Sequence, residues 1–235
     1  MSKFQSVEEF EREPTRHLLD ESIREGRTID QLKAQIAYER FLARMDPDSM
    51  TIKGGFAVKC HVPQSPHTKD IDMILREEQL PSDREKLPRA VREVINTQLD
   101  KTHVDDHFRF DTGESLGFSD LGPRDAACRM NVRAYIGDSQ ERFATFPLDV
   151  ALSGEHPLPP QVVPSPNHLS WADIDTAHIS AVPPEHLFAD KLLIYVESQN
   201  ENRVGDLAHM ALLADGGLDM EKVSTALDIW PRSEA

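Results

Sequence analysis

Two cysteines in 235 residues, Cys60 and Cys128, leave no material for a disulfide scaffold. Their placement also lacks the spacing of a zinc site, so reduced thiols are expected. No apolar run approaches the roughly 18–20 residues needed to span a bilayer. The first residues, Met1 to Leu19, carry too many charges for a secretory signal, which predicts a cytoplasmic protein without a membrane partner. Net positive charge is missing too. The formal net charge is −15, so a nucleic acid gripped over the whole surface is excluded and any RNA contact must be local. Gly-x-Ser-x-Gly, the Gly-x-x-x-x-Gly-Lys phosphate loop and a Cys/His nucleophile arrangement are all absent, which leaves serine hydrolase and P-loop chemistry unsupported. The ten histidines show no metal-ligand pattern, and His103 and His107 stand in a polar stretch that reads as a solvated loop or helix end.

What is present fits an ordinary globule of one large domain or two small ones. Hydrophobic residues make up 39% and charged residues 29%, values that suggest neither disorder nor coiled coil. Ser6 and Glu9 have the form of a capping box. From Thr28 to Met45, apolar residues at 29, 32, 36, 41 and 42 follow a helical period, which Pro47 ends. A short strand at Thr51-Ile52-Lys53 runs into Gly54-Gly55, and periodicity does not decide between helix and strand for Phe56 to His61. Asp70 to Leu75 predicts a strand, and Asp83 to Leu99 a helix with Leu87, Val91, Val94, Ile95 and Leu99 on one face. Strands are expected at His107–Phe110, Arg129–Ile136 and Arg142–Leu152, with Gly113, Gly117, Gly122-Pro123 and Gly137 as turn residues between them. Seven prolines between Glu155 and Pro184 exclude a regular helix and predict an irregular crossing. Helices follow from Pro184, over Gly205 to Leu213, and over Met220 to Ile229. The expected fold class is α+β: a helical lead-in with a mixed-sheet core over 1–155, a crossing segment over 156–183, and a helical C-terminal part over 184–235.

The strongest local signal is Lys53-Gly54-Gly55 followed by Thr68-Lys69-Asp70-Ile71-Asp72. On a strand, Asp70 and Asp72 place both carboxylates on one face. Two like charges so close are costly unless a cation sits between them, and Mg²⁺ or Mn²⁺ would relieve the repulsion while bridging substrate phosphates. The glycine pair lets backbone N–H groups approach a phosphate chain. Asp149 is a lone charge in the apolar run Phe146 to Leu152 and is the candidate third acid of a metal site; Asp111 and Glu114 are rivals in polar surroundings. Lys191, between apolar neighbours, would bury its stem and offer its amine to triphosphate oxygens. Arg203 and Asp206 have the spacing of an (i, i+3) helical pair.

In this order, Lys53-Gly54-Gly55-Phe56-Ala57, Thr68-Lys69-Asp70-Ile71-Asp72, Leu148-Asp149-Val150, Glu185 to Lys191 and Arg203-Val204-Gly205-Asp206 resemble the AbiEii/MenT-type nucleotidyltransferase toxins over roughly residues 35–215. The resemblance implies a DNA polymerase β-like nucleotidyltransferase core with a helical C-terminal part. It assigns Gly54 and Gly55 to the nucleoside triphosphate, with Lys53, Thr68, Lys69 and Arg203 beside them, and Asp70 and Asp72 to the metal. It makes Lys191 a phosphate ligand and Asp206 an active-site acid that orients Lys191 or the attacking hydroxyl. Family members act as toxins of type IV toxin–antitoxin pairs, and some modify the 3′ end of tRNA, so tRNA and a cognate antitoxin become expected partners. Relatives usually carry an arginine just before the Thr-x-Asp-x-Asp element. Here Ser65-Pro66-His67 stands instead, with His67 or Lys69 as candidates for its place. The expected activity is metal-dependent transfer of a nucleoside monophosphate to an acceptor hydroxyl. Nucleotidylation of a protein or small molecule, and nucleotide binding without catalysis, are the alternatives.

Overall fold

The computed structural model describes residues 10, 17–24, 26–76, 80, 81, 83, 85–120, 126–151, 158–197 and 203–228. The expected capping box at Ser6 and Glu9, the turn residues Gly122-Pro123 and the side chain of Glu114 lie outside what is described. Helix α1 covers 17–24. Helix α2 (Ile29–Leu42) starts at a different capping box: Thr28 accepts from the Gln31 amide at 3.2 Å, and the Gln31 side chain accepts from the Thr28 amide at 3.0 Å. It ends three residues before the expected Met45. The Asp46 carboxylate accepts from the Asp48 amide at 3.1 Å and the Ser49 hydroxyl at 2.9 Å, and this local turn competes with the last helical turn ahead of Pro47.

The sheet contains seven strands among the described residues. They are β1 (Met50–Lys53), β2 (Ile71–Leu75), β3 (Phe108–Asp120), β4 (Ala126–Ile136), β5 (Ala144–Ala151), β6 (Gln161–Pro164) and β7 (His178–Ala181), in the spatial order β3-β4-β5-β2-β1-β7-β6. Strand β2 is central, antiparallel to β1 and parallel to β5. Helix α3 (Gly54–His61) follows β1 directly and settles the ambiguity over Phe56 to His61 in favour of helix. Helix α4 (Leu87–Lys101) buries Val91 and Ile95, as the period predicts. Three helices follow the sheet: α5 (Pro184–Glu197), α6 (Val204–Asp215) and α7 (Met220–Asp228). The fold is α+β. Among the described residues no helix is long and apolar enough to cross a membrane.

Two expectations are corrected. Gly113 and Gly117 are not turn residues: both lie inside β3, where the pairing with β4 shifts register between Thr112 and Ser115 and again between Ser115 and Phe118. Glycine within a strand commonly marks such an irregularity rather than the strand's end. The proline-rich segment also contributes regular structure. Its residues 161–164 and 178–181 form β6 and β7, and β7 joins β1 in parallel. Pro164 is compatible with β6 because that strand is at the sheet edge, where a missing N–H breaks no ladder.

The core forms where α2 and α3 lie against the sheet. Tyr38 meets Phe56 and Phe146 edge-on at 5.5 and 4.8 Å between ring centroids, and Phe41 meets Phe146 at 5.7 Å. A side chain of this size contributes roughly 2–3 kcal/mol on full burial. That packing holds the β1–α3 junction against β2 and so sets the position of Gly54 and Gly55.

Candidate active site

One transverse row of the sheet carries the charged residues of the site. Lys53 on β1 is in register with Asp72 on β2, Asp72 with Asp149 on β5, and Asp149 with Arg129 on β4. Residues opposite one another in adjacent strands share a face and stand about 4.8 Å apart. The row is therefore cation, acid, acid, cation. Ile71 and Met73 point into the core on the other side and are fully buried. Asp70 precedes β2 and lies close enough to act on Asp72. Burial first, then the charges of Asp70 and Asp149, push the Asp72 carboxyl up to about 6, against the opposing pull of Lys53 and Lys191.

The two glycines complete this arrangement. Gly54 is the first residue of α3 and has φ +66°, a left-handed conformation that L side chains disfavour. A Cβ there would stand 1.9 Å from Asp72 Oδ2. Backbone and carboxylate thus touch only because the side chain is absent. Gly54→Ala should lower transfer activity by about 100-fold with the fold retained, since Asp72 must move and the helix start is strained by about 1–2 kcal/mol. Circular dichroism and a labelled-transfer assay check this; a fully active alanine variant would show that the contact is unimportant. A Cβ on Gly55 would meet Thr68 Oγ1 at 2.8 Å and His209 Cε1 at 3.7 Å, so both side chains close on the space a side chain would take.

Thr68, expected at the nucleotide, is buried, and its hydroxyl donates to the Asp70 carbonyl at 3.1 Å with the Asp70 carboxylate at 3.3 Å. It orients the loop that delivers Asp70. Lys69 is exposed. His67 lies among cations from three places in the chain: burial first, then Arg27, Lys59 and Lys69, hold its imidazole below the ordinary range. Cations from three separate places in the chain thus surround the position just before the Thr-x-Asp-x-Asp element. Arg27 and Lys59 also line a cleft of about 510 Å³ with Asn167 and His168. None of the acids in the row borders it.

The C-terminal helices bring the second half of the site. Lys191 on α5 is buried, and its ammonium donates to Asp206 Oδ1 at 3.0 Å. Arg203, the N-cap residue of α6, donates to Asp206 Oδ2 at 3.1 Å. Burial alone would raise the Asp206 carboxyl, but the hydrogen bonds and charges of Lys191 and Arg203 outweigh it and hold the group below the ordinary carboxylate range. Asp206 therefore fixes two cations, one per oxygen. Lys191 also acts on Asp72, which links the helical part to the sheet row.

Two residues of the site were not among the expected ones. Arg129 holds Asp149 through two hydrogen bonds of 2.7 and 2.5 Å. Nothing in the sequence tells which strand lies beside β5, so this partner was not legible. His209 lies one helical turn after Asp206, and that (i, i+3) spacing on a predicted helix was the available signal. The rival acid Asp111 is bound to Arg133 at 2.8 Å on β3 and β4, away from the Gly-Gly turn. Among the described residues, no group of three or more His, Cys, Asp and Glu side chains is arranged to hold a metal ion by itself. A pair of carboxylates is what a hard cation needs when substrate phosphates complete its shell.

A glycine turn opens a helix, one acid stands on the adjacent strand with another just before it, and an acid on a later helix holds two cations. The chain matches the family model described as nucleotidyl transferase AbiEii toxin, type IV TA system, over residues 35–227. It belongs to that family. This AbiEii nucleotidyltransferase has no match among curated protein sequences. Among solved structures it is similar to MenT4, a nucleotidyltransferase toxin of Mycobacterium tuberculosis, with a TM-score of 0.59 and 17% identity over 91% of this chain and 67% of that one. JHP933 from Helicobacter pylori also matches, with a TM-score of 0.47 and 12% identity over 83% of this chain and 72% of that one. At 17% identity, the MenT4 likeness shows the shared fold.

Proposed function

We propose that this AbiEii-family protein transfers a nucleoside monophosphate from a nucleoside triphosphate to an acceptor hydroxyl, with RNA at a tRNA 3′ end as the acceptor, as the toxin of a pair with a cognate antitoxin. The observation that carries the reading is the contact between the Gly54 backbone and the Asp72 carboxylate, beside Asp70 and Asp149. Two carboxylates as close as Asp70 and Asp72, directly beside a glycine turn, favour a divalent cation and an anionic ligand together. Asp70 and Asp72 would hold that ion, Mg²⁺ or Mn²⁺. When bound, it supplies charge neutralisation for the triphosphate and Lewis-acid polarisation of its oxygens.

The chain's own groups bind and orient. The amide groups of Gly54 and Gly55 at the start of α3 face the phosphates, as helix N-termini do. Lys53 and Lys69 flank them. Lys191 and Arg203, held by Asp206, supply positive charge where pyrophosphate accumulates it. Asp149 adds its charge from the adjacent strand, with Arg129 holding one lone pair of each oxygen. The acceptor hydroxyl passes its proton to an active-site carboxylate as its oxygen forms a bond to the α-phosphorus; the bond from that phosphorus to the α,β-bridging oxygen breaks, and pyrophosphate leaves with the electron pair.

The formal net charge of −15 favours a second reading for the acceptor, a protein or small-molecule hydroxyl, because a strongly acidic surface repels RNA. One experiment separates these. Purified protein is incubated with Mg²⁺, total tRNA, a protein extract and each α-phosphate-labelled nucleoside triphosphate in turn. Label on RNA is the expected result. Label on protein alone would keep the transfer and remove tRNA. No transfer to any acceptor, with triphosphate binding intact, would leave a non-catalytic nucleotide-binding module.

A further inference from the structure

His209 lies inside the site and has no partner there. The ring is 9% exposed, and neither Nδ1 nor Nε2 makes a hydrogen bond among the described residues. A buried polar nitrogen without a partner costs roughly 1–3 kcal/mol and is retained where something outside the chain supplies the bond. The ring's orientation shows where that partner would lie. Cε1, the carbon bonded to both nitrogens, is the ring atom 3.7 Å from the Cβ position of Gly55. The imidazole therefore turns its nitrogen edge to Gly55, at the Cβ position that Thr68 also borders. Its charged neighbours are Lys191 and Asp206, which are already paired with each other.

We propose that His209 is a nucleotide-contacting residue that donates a hydrogen bond from a ring nitrogen to the phosphate chain lying over Gly55. This rests on the nucleoside triphosphate reading given above. The surroundings suit the role. Burial first, then the charge of Lys191, outweigh Asp206 and push the imidazole down to about 4, so at neutral pH it carries one N–H and one lone pair. Such a group adds a directed donor between Lys191 and the Gly55 amide without adding a third positive charge beside Lys191 and Arg203. It distinguishes a phosphate oxygen at one position from a diffuse anion.

The probes are inorganic triphosphate and each of the four ribonucleoside triphosphates with Mg²⁺, titrated calorimetrically into the full chain. His209→Phe should weaken triphosphate binding by about tenfold or more. His209→Gln, which keeps an N–H near the Nε2 position, should recover most of that loss. The melting temperature of His209→Phe should equal or exceed that of the wild-type chain, because the substitution removes an unpartnered polar group. In the wild-type chain, the ¹⁵N resonances of the His209 ring should shift on addition of inorganic triphosphate, a readout that does not depend on any variant folding. Wild-type affinity in His209→Phe, or unmoved ring resonances at saturation, would overturn the role of His209 and leave nucleotidyl transfer standing. A wild-type chain that binds none of the five probes would overturn both.

Discussion

Asp72→Asn is expected to lower nucleotidyl transfer by at least about 10³-fold while making the metal-free protein more stable. The two effects share a cause. Asp72 is the acid most strongly destabilised as an anion, with its carboxyl pushed up to about 6 by burial, Asp70 and Asp149. Ionised, it is the group a cation needs; left without a cation, it is a liability on the order of 1–3 kcal/mol. The pH dependence has a defined sign. A carboxyl whose folded-state value lies above its ordinary 3.8 favours the folded state when protonated, so its contribution is fully present below about 4 and is lost as pH rises through about 6. Thermal melts of the metal-free wild-type chain should therefore show a stability loss between pH 4 and 7 from this group, and the asparagine variant should lack it. Mg²⁺ should raise the wild-type melting temperature at pH 7.5 and leave the variant unmoved. Retained transfer in the variant would remove Asp72 from the site.

The second large effect concerns the scaffold. Arg44→Ala should cost about 3–5 kcal/mol of folding stability. Arg44 on the α2 side reaches the fully buried Asp106 through two hydrogen bonds, at 2.9 and 2.6 Å, and also donates to the carbonyls of Arg40 and Phe108. Asp106 in turn accepts from the Phe108 amide at 3.0 Å, at the start of β3. Removing the guanidinium leaves a buried carboxylate with one backbone donor and the more distant Arg40 guanidinium at 3.9 Å, and frees two carbonyls. For a chain of this size the expected fall in melting temperature is on the order of 10 °C. A variant melting within a degree of wild type would show that the pair contributes nothing.

Much of the candidate site was legible because it is local chemistry. Asp70 and Asp72 read as neighbouring carboxylates from their spacing alone, and Asp70 does act on Asp72; Gly54-Gly55 read as a close-approach turn from the missing side chains. Asp149 stood out as a charge in an apolar run, and it is the residue in register beside Asp72. Arg203 and Asp206 do form the (i, i+3) pair their spacing suggested. The segments read wrongly share another property. Gly113 and Gly117 have the composition of turns, yet the long β3–β4 ladder absorbs them through its register shifts. Residues 161–164 and 178–181 have the composition of an irregular crossing, yet β1 offers a free edge for β7 to pair with. In both cases the pairing partner overrides local preference, because strand formation depends on what lies alongside more than on intrinsic propensity.

The sequence by itself determined the periodic elements, the closeness of Asp70 to Asp72, the glycine pair after a strand and the order of motifs that marks the family. Each follows from interactions among residues a few positions apart, where spacing translates directly into geometry. Only the tertiary structure decided that Arg129 holds Asp149, that Lys191 and Arg203 share Asp206, that Arg27 and Lys59 surround His67, and that His209 faces Gly55. These neighbours come from strands and helices brought together by burial of the common core, and burial selects partners by shape and apolar surface over the whole chain, leaving no trace in local spacing.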